Sequence, residues 1–386
     1  MIQTFLNRFN SLSDFQWVIF IAFCVVYFIR LIYLLLVAGR ISYQKKPQVN
    51  NSKGKPISLL LAIRNEEQNI RNNLPKLLTI EDVDYEVVAV DDFSQDATLS
   101  VLGLYRQRYR RLKISSLNQE TRYSVKLTQT VALKSATNDW VMIIPVSMEG
   151  IPGEWLPVFS QKIEAESNKN LITGYASVKP ERGFFNLMFR IENFFQYVKS
   201  AGFTTVGVPF LYSEENVAFN KSKYFKSNGY GLKLKEPYAN LELIFNSFIT
   251  KKSTSFVFCK GTSIFRKQAV GKTEYSELLK KSFRIEKYLP WWKKVLLKLD
   301  EYTALLFLPL LISILFVVQG LWPLILVLAG IKLIAHLVII KITLIRLNER
   351  KIFIPSLVYG VLMPYYRLFY RWHFARNSQK KWRNKV

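Results

Sequence analysis

The sequence predicts an α/β domain with a mostly parallel sheet, set between apolar segments that meet a membrane. Three observations predict it. Residues 56–285 alternate short β-branched runs with helical patterns, the rhythm of strands and crossover helices covering a sheet on both faces. Residues 17–38, 302–318 and 321–340 are apolar runs, and roughly 20 residues suffice to cross a bilayer. Basic clusters flank those runs: Arg40, Lys45, Lys46, Lys53 and Lys55 after the first, Lys293, Lys294 and Lys298 before the second.

The charge follows the same logic. The 54 Lys and Arg outnumber the 28 Asp and Glu, giving a formal net charge of +26. Such an excess suits nucleic acid or a membrane surface. Its placement beside apolar runs, and an acid-free basic tail from Arg371 to Lys385, assign it to anionic headgroups on the cytoplasmic side, so nucleic acid is not an expected partner. The cysteines, Cys24 and Cys259, form no CxxC, and His336 and His373 lack metal-ligand spacing. Neither a disulfide framework nor a zinc site is expected.

Taken in order, residues 1–43 form an N-terminal transmembrane anchor. The long lead before the run carries only Arg8 as a positive charge and no small-residue cleavage site follows, which favours an anchor over a signal peptide. Positive charge after the run places the N-terminus outside and the rest in the cytoplasm. Residues 44–55, polar with Pro47, Asn50, Asn51 and Gly54, are a linker.

Within 56–285, strands are expected at 57–63, 86–90, 112–115, 140–144, 171–174, 216–219 and 255–259, and helices at 67–78, 96–109, 124–137 and 155–166. Phe184, Phe185, Met188, Phe189, Ile191, Phe194, Phe195 and Val198 recur at near-helical spacing. They mark either a helix touching the bilayer or a buried core helix. Residues 286–301, with Trp291 and Trp292 beside three lysines, are an interfacial helix. Residues 302–345 are a transmembrane hairpin, split by Gln319-Gly320 and Pro323; its second arm carries Lys332 and His336 and packs or snorkels there. Residues 346–386 are an interfacial or re-entrant segment with a cytoplasmic basic tail, because a full crossing of 352–370 would put that tail outside.

Ligands of an open α/β sheet bind beyond the carboxyl ends of the strands. Arg64-Asn65-Glu66 follow one strand, Asp91-Asp92 a second and Pro145-Val146-Ser147 a third, so the three loops line one crevice. Carboxylates there can accept hydrogen bonds from a base N–H and from ribose hydroxyls. The competing reading is that Asp91, Asp92, Ser94 and Asp96 only turn the chain and cap the following helix. Paired motifs at matching strand ends favour the nucleotide site.

At these residues the chain resembles a known family. Pro56-Ile57-Ser58-Leu59-Leu60-Leu61-Ala62-Ile63-Arg64-Asn65-Glu66-Glu67, followed by Glu86-Val87-Val88-Ala89-Val90-Asp91-Asp92-Phe93-Ser94-Gln95-Asp96, resembles the nucleotide-binding half of a family-2 glycosyltransferase. Asn216-Val217-Ala218-Phe219-Asn220-Lys221 resembles the family's Gly-Ala-Asn-x-Ala-Tyr-Arg-Lys stretch, and Trp382-Arg383 a Trp-Lys-Gly-Arg ending. One N-terminal helix with a C-terminal membrane cluster resembles the bacterial membrane-bound members. The resemblance covers residues 56 to about 285 and implies a Rossmann-like A-type glycosyltransferase domain in a bacterial inner membrane. It also implies a UDP- or GDP-linked sugar donor held by Arg64, Asn65, Glu66, Asp91, Asp92 and Lys126. The implied acceptor is lipid-linked or part of a cell-envelope glycan, met near Glu215 and Asn216.

Against that pattern stand systematic departures. The family's metal-binding Asp-x-Asp, which would hold Mg2+ or Mn2+, falls on Pro145-Val146-Ser147. Its acidic base motif falls on Ala239-Asn240, and of its Gln-x-x-Arg-Trp only Arg284 remains within Lys281-Ser282-Phe283-Arg284-Ile285; its Gly-Lys survives only as Lys126. The catalytic candidates are therefore Asn240, Glu242 and Arg284. A positioned base contributes roughly 100- to 10,000-fold in rate, and a metal several kcal/mol, so replacements matter. Lys126, Lys134, Lys281 and Arg284 are the cations able to neutralise a diphosphate; Glu149, Glu242 and Glu214-Glu215 are the carboxylates in shifted positions. Two functions follow: a metal-independent or impaired transferase in glycan or glycolipid assembly, or a non-catalytic scaffold for an active transferase or polymer exporter.

Overall fold

The computed structural model describes residues 9, 12–44, 54–120 and 124–383; most of the expected linker, and Arg8, lie outside them. The chain divides into two compact units. One comprises Gln44–Tyr288 with Arg346–Asn348; the other comprises Met1–Tyr43, Leu289–Ile345 and Glu349–Val386. Helix α1 (Asp14–Ser42) opens the chain and belongs to the second unit.

The first unit is built on a seven-stranded sheet of order β3-β2-β1-β4-β8-β6-β9. Strands β1 (Ile57–Ile63), β2 (Tyr85–Asp91), β3 (Leu112–Ser116) and β4 (Trp140–Ile143) run parallel. Every residue of β2, and all of β1 but Ala62, is buried, as expected of parallel strands covered on both faces. The cover comes from α2 (Glu67–Leu78), α3 (Thr98–Arg108), α4 (Ser124–Ser135) and α5 (Trp155–Ala165). Leu59, Leu61, Ile70, Leu74, Val87, Trp155 and Phe159 form the centre of this core.

A buried carboxylate locks the strands together at the sheet's opposite end from the ligand loops. Glu86 faces Ser58 across the β1–β2 register. It accepts from Ser58 Oγ at 2.5 Å and from the Thr137 amide at 2.6 Å, and pairs with Lys113 at 2.6 Å. Burial opposes its ionisation, yet these donors bring its pKa down to about 2.

Beyond β4 the direction reverses. Strand β8 (Val217–Asn220) is antiparallel to β4 and to β6 (Leu171–Thr173), and β9 (Thr254–Phe256) is parallel to β6. Val217 therefore sits beside Ile143 and Thr173, which delivers the loop before β8 to the same sheet edge as the carboxyl ends of β1, β2 and β4. A small second sheet, order β5-β10-β7, joins β5 (Met148–Glu149), β10 (Ile264–Arg266) and β7 (Ala176–Val178). The aromatic segment forms α6 (Phe184–Thr205), with Phe189, Ile191, Phe194 and Val198 buried and Tyr197 donating to the Val257 carbonyl at 3.0 Å. It is a core helix; only its first turn exposes a large apolar residue, Phe184. The short helices α7 (Lys221–Lys226) and α8 (Leu241–Phe248) and the longer α9 (Lys272–Tyr288) complete the unit.

The second unit joins α1 to α10 (Trp291–Val317), α11 (Trp322–Arg346) and α12 (Phe353–Arg383). Among the described residues, four stretches are long and apolar enough to cross a membrane: Asp14–Ser42, Trp291–Val317, Gln319–Arg346 and Arg350–Phe374. Residues 291–301 and the apolar run after them form one continuous helix, and 353–383 another. Phe23, Tyr27, Ile314, Leu321 and Ile325 pack between helices. Polar clips fix the register: Gln16 Nε2 donates to the Val317 carbonyl at 2.8 Å, and Tyr27 donates to the Leu328 carbonyl at 2.9 Å.

Candidate functional site

The ends of β1 and β2 interlock. Asn65, with φ +53°, donates its amide N–H to Ser94 Oγ and accepts from the Gln95 N–H at 2.8 Å. Glu66 donates its backbone N–H to Thr98 Oγ1, and its carboxylate accepts from Asn69. These two candidates brace the loops. Asp91 and Asp92 are each 3% exposed. Asp91 Oδ2 accepts from the Ser94 N–H at 3.2 Å, yet Oδ1 of both aspartates is buried with no partner among the described residues. Such orphaned acceptors await donors. Next to them Phe93 holds φ +54° with its ring partly exposed, an unusual conformation for a bulky residue and a frequent mark of ligand sites. Arg64 pairs with Glu120 at 2.5 Å, both side chains largely exposed, and Asp92 adds to the charge stabilising its guanidinium.

At the end of β4, Val146 is buried in the core and its carbonyl accepts from Asn73 Nδ2 at 3.1 Å. Pro145 and Ser147 flank it, so this position offers a hydroxyl but no carboxylate. Glu149, two residues on, lies in β5 and pairs with Lys179 at 2.5 Å and Lys267 at 3.9 Å. Among the described residues no group of three or more His, Cys, Asp or Glu gathers as a metal would require.

The loop before β8 and the start of α8 meet at a cavity of about 350 Å³. Its wall includes Glu214, Glu215, Asn240, Lys281, Arg266 and Tyr238. Two carboxylates clasp the loops reciprocally. Glu242, fully buried, accepts from the Glu214 N–H at 3.1 Å and the Asn240 N–H at 2.9 Å and pairs with Lys281. Glu214 accepts from the Leu241 N–H at 2.9 Å, and from Asn240 Nδ2 and Gln129 Nε2 at 3.3 Å each. Burial, then the negative charge of Glu242, push the Glu214 carboxyl up to about 7, with Lys281 opposing. Glu215 pairs with Arg266, whose burial lowers its pKa to about 10.

The remaining expected residues support this wall. Asn216, fully buried at φ +57°, accepts from Trp155 Nε1 at 2.9 Å and donates to the Tyr175 and Thr262 carbonyls at 2.8 Å each. Gly174 makes room for it: a Cβ there would lie 2.5 Å from Asn216 Nδ2. Asn216 thus shapes the cavity floor and does not line it. Lys126 is buried and donates to the carbonyls of Lys233 at 3.2 Å, Leu234 at 3.1 Å and Glu236 at 2.5 Å, stapling that loop; burial lowers its pKa. Arg284 turns toward Glu236, 3.6 Å away, outside the cavity lining. Arg266 and Gln129 escaped sequence reasoning, since no local pattern announces them; Glu214 carried a signal, an acid pair just before the Asn216 stretch.

Comparison with known proteins agrees with this architecture. Residues 58–270, more than half of the chain, match the family described as Glycosyl transferase family 2, and the chain belongs to that family. Among solved structures it is similar to a mannosyltransferase from Pyrobaculum calidifontis in complex with GDP-Man and Mn2+. That likeness has a TM-score of 0.54 at 16% identity and covers 89% of this chain and 98% of that one. It is also similar to residues 1–349 of S. aureus TarS in complex with UDP-GlcNAc, with a TM-score of 0.44 at 17% identity over 79% of this chain and 90% of that one. The fold is the A-type glycosyltransferase fold.

Proposed function

We propose that this chain transfers a sugar from a nucleotide-sugar donor to a membrane-associated acceptor without a divalent metal, using Glu214 as general base. The observation that carries the reading is the Glu214 carboxylate on the cavity wall, hydrogen-bonded to Asn240, the amide on which the resemblance sets the family's base motif. A carboxylate with a pKa near 7 is matched to proton transfer at neutral pH. It takes the proton of an acceptor hydroxyl as that oxygen bonds to the anomeric carbon. The bond from that carbon to the donor's diphosphate oxygen breaks, and its electron pair leaves with the nucleoside diphosphate.

On the donor side, Asp91 and Asp92 supply the orphaned acceptors for base or ribose. Lys126 is held by three carbonyls and Lys281 by Glu242, so Arg64 is the side chain at this edge best placed to meet the diphosphate; its exposed pair with Glu120 is a weak hold. Pro145-Val146-Ser147 does not fit a divalent cation, and no step is routed through one. Glycolipid or cell-envelope glycan assembly, with the domain on the cytoplasmic face of a bacterial inner membrane, accords with the charge placement. Initial rates with UDP- and GDP-sugars in the presence of a chelator test the proposal: turnover lost in Glu214→Gln supports it, and equal turnover in that variant overturns the assignment. A scaffold for an active transferase is the second reading, favoured by the buried Lys126, whose ammonium holds three carbonyls in place of a ligand.

A further inference from the structure

Charged side chains collect at one level of the helical unit. In α10 the charged residues end at Glu301, and the apolar stretch 302–318 follows. At that boundary Arg30 of α1 pairs with Asp300 at 2.6 Å, and Glu301 binds Lys298 at 3.0 Å and Arg371 at 2.8 Å. Helix α11 runs back along α10 and sets Lys332 Nζ 3.5 Å from the centroid of Phe307. Phe307 lies two turns, about 10 Å, past Asp300, a depth from which a lysine stem can snorkel. His336 is one turn nearer the boundary on the same face of α11. On α1, Phe23 packs with its ring centroid 6.4 Å from that of Phe307, and Arg30 lies two turns further on, at the level of Asp300.

The balance is uneven. Asp300 and Glu301 are matched by Arg30, Lys298 and Arg371, while Lys332 and His336 have no hydrogen bond or salt bridge to any described residue. A face of an aromatic ring only partly offsets the loss of water around an ammonium, and ionisable groups at this depth usually mark a function. We propose that Arg30, Lys332 and His336 form a site between α1, α10 and α11 for the phosphate of an anionic membrane lipid. Lys332 supplies the unmatched charge, its stem reaching back toward the boundary where headgroup phosphates lie, the imidazole supplies an N–H donor, and Arg30 adds the donors that its pair with Asp300 leaves over. The site does not depend on sugar transfer.

The test is thermal unfolding of the full chain in nanodiscs. Four media are compared: neutral phosphatidylcholine, the same with phosphatidylglycerol, the same with an isoprenyl monophosphate, and the neutral lipid with inorganic phosphate. Wild type should melt about 5 °C higher with a lipid phosphate. A shift with both lipids assigns the site to lipid phosphate in general, and one with the isoprenyl phosphate alone to a lipid-linked substrate. Lys332→Arg should keep the shift; Lys332→Met should lose it while melting no lower than wild type in neutral lipid, because it removes an unmatched ammonium. Equal shifts in wild type and Lys332→Met would reduce the effect to surface attraction and overturn the site. A Lys332→Met variant that melts lower in neutral lipid yet keeps the shift overturns it too, as does inorganic phosphate matching the lipids.

Discussion

Glu214 and Phe93 carry the residue-scale account. The Glu214 carboxyl is held up to about 7 by burial and by Glu242, and a base must be ionised to work. Activity should therefore rise with pH through about 7, and Glu214→Gln should lose that limb along with roughly 100-fold or more in rate; a pH–rate profile of both proteins checks it. Stability moves the other way: a carboxyl whose folded pKa exceeds its unfolded value contributes stability below about 4.5 that is lost as pH rises through 7. Phe93 at φ +54° is strained, so Phe93→Gly should raise stability by about 1 kcal/mol. If its ring stacks on the base, nucleotide affinity should fall roughly tenfold, as titration calorimetry would show. At this scale the sequence announced Asp91 and Asp92 through their strand-end position. It could not announce that Asn216 and Lys126 face inward, because burial of a polar side chain depends on partners such as Trp155 and the 233–236 carbonyls, far away in sequence.

At the scale of elements, the parallel strands were legible because their apolar runs are continuous and their helices periodic; β1 and α2 fall at 57–63 and 67–78 as expected. Strands β5, β7 and β10 were not, since no apolar run marks Met148–Glu149 or Ala176–Val178 and both pair only when the distant Ile264–Arg266 meets them. The aromatic periodicity of α6 was equally compatible with lipid and with core, and the sheets beside it decide for core. Glu86 is the element-scale keystone, joining β1, β2, β3 and the loop before β4. Glu86→Ala should cost about 2–4 kcal/mol by stranding its buried donors, measured by denaturant unfolding. With its pKa down at about 2, its contribution is present above pH 4.5 and fades as pH falls toward 2; the variant's stability should be correspondingly flatter across that window.

For the whole molecule, the two units divide the labour that the composition foreshadowed: one carries the carboxylate-lined sheet edge, the other the apolar helices and much of the basic excess. From the charge placement we propose an outside N-terminus and a cytoplasmic basic tail. A reporter fused at either end should read accordingly, and an external C-terminal reporter would mean that residues 350–374 complete a fourth crossing. Metal-free donor binding is tested by the melting temperature of the purified protein with UDP- and GDP-sugars, in chelator and then in Mn2+. A nucleotide at 100 times its dissociation constant adds about 2.7 kcal/mol. A metal-free donor site should give a raised melting temperature with one nucleotide class, equal in chelator and metal, and lost on replacing Asp91 or Asp92 by Ala. Stabilisation that appears only with Mn2+, or with no nucleotide at all, would contradict it.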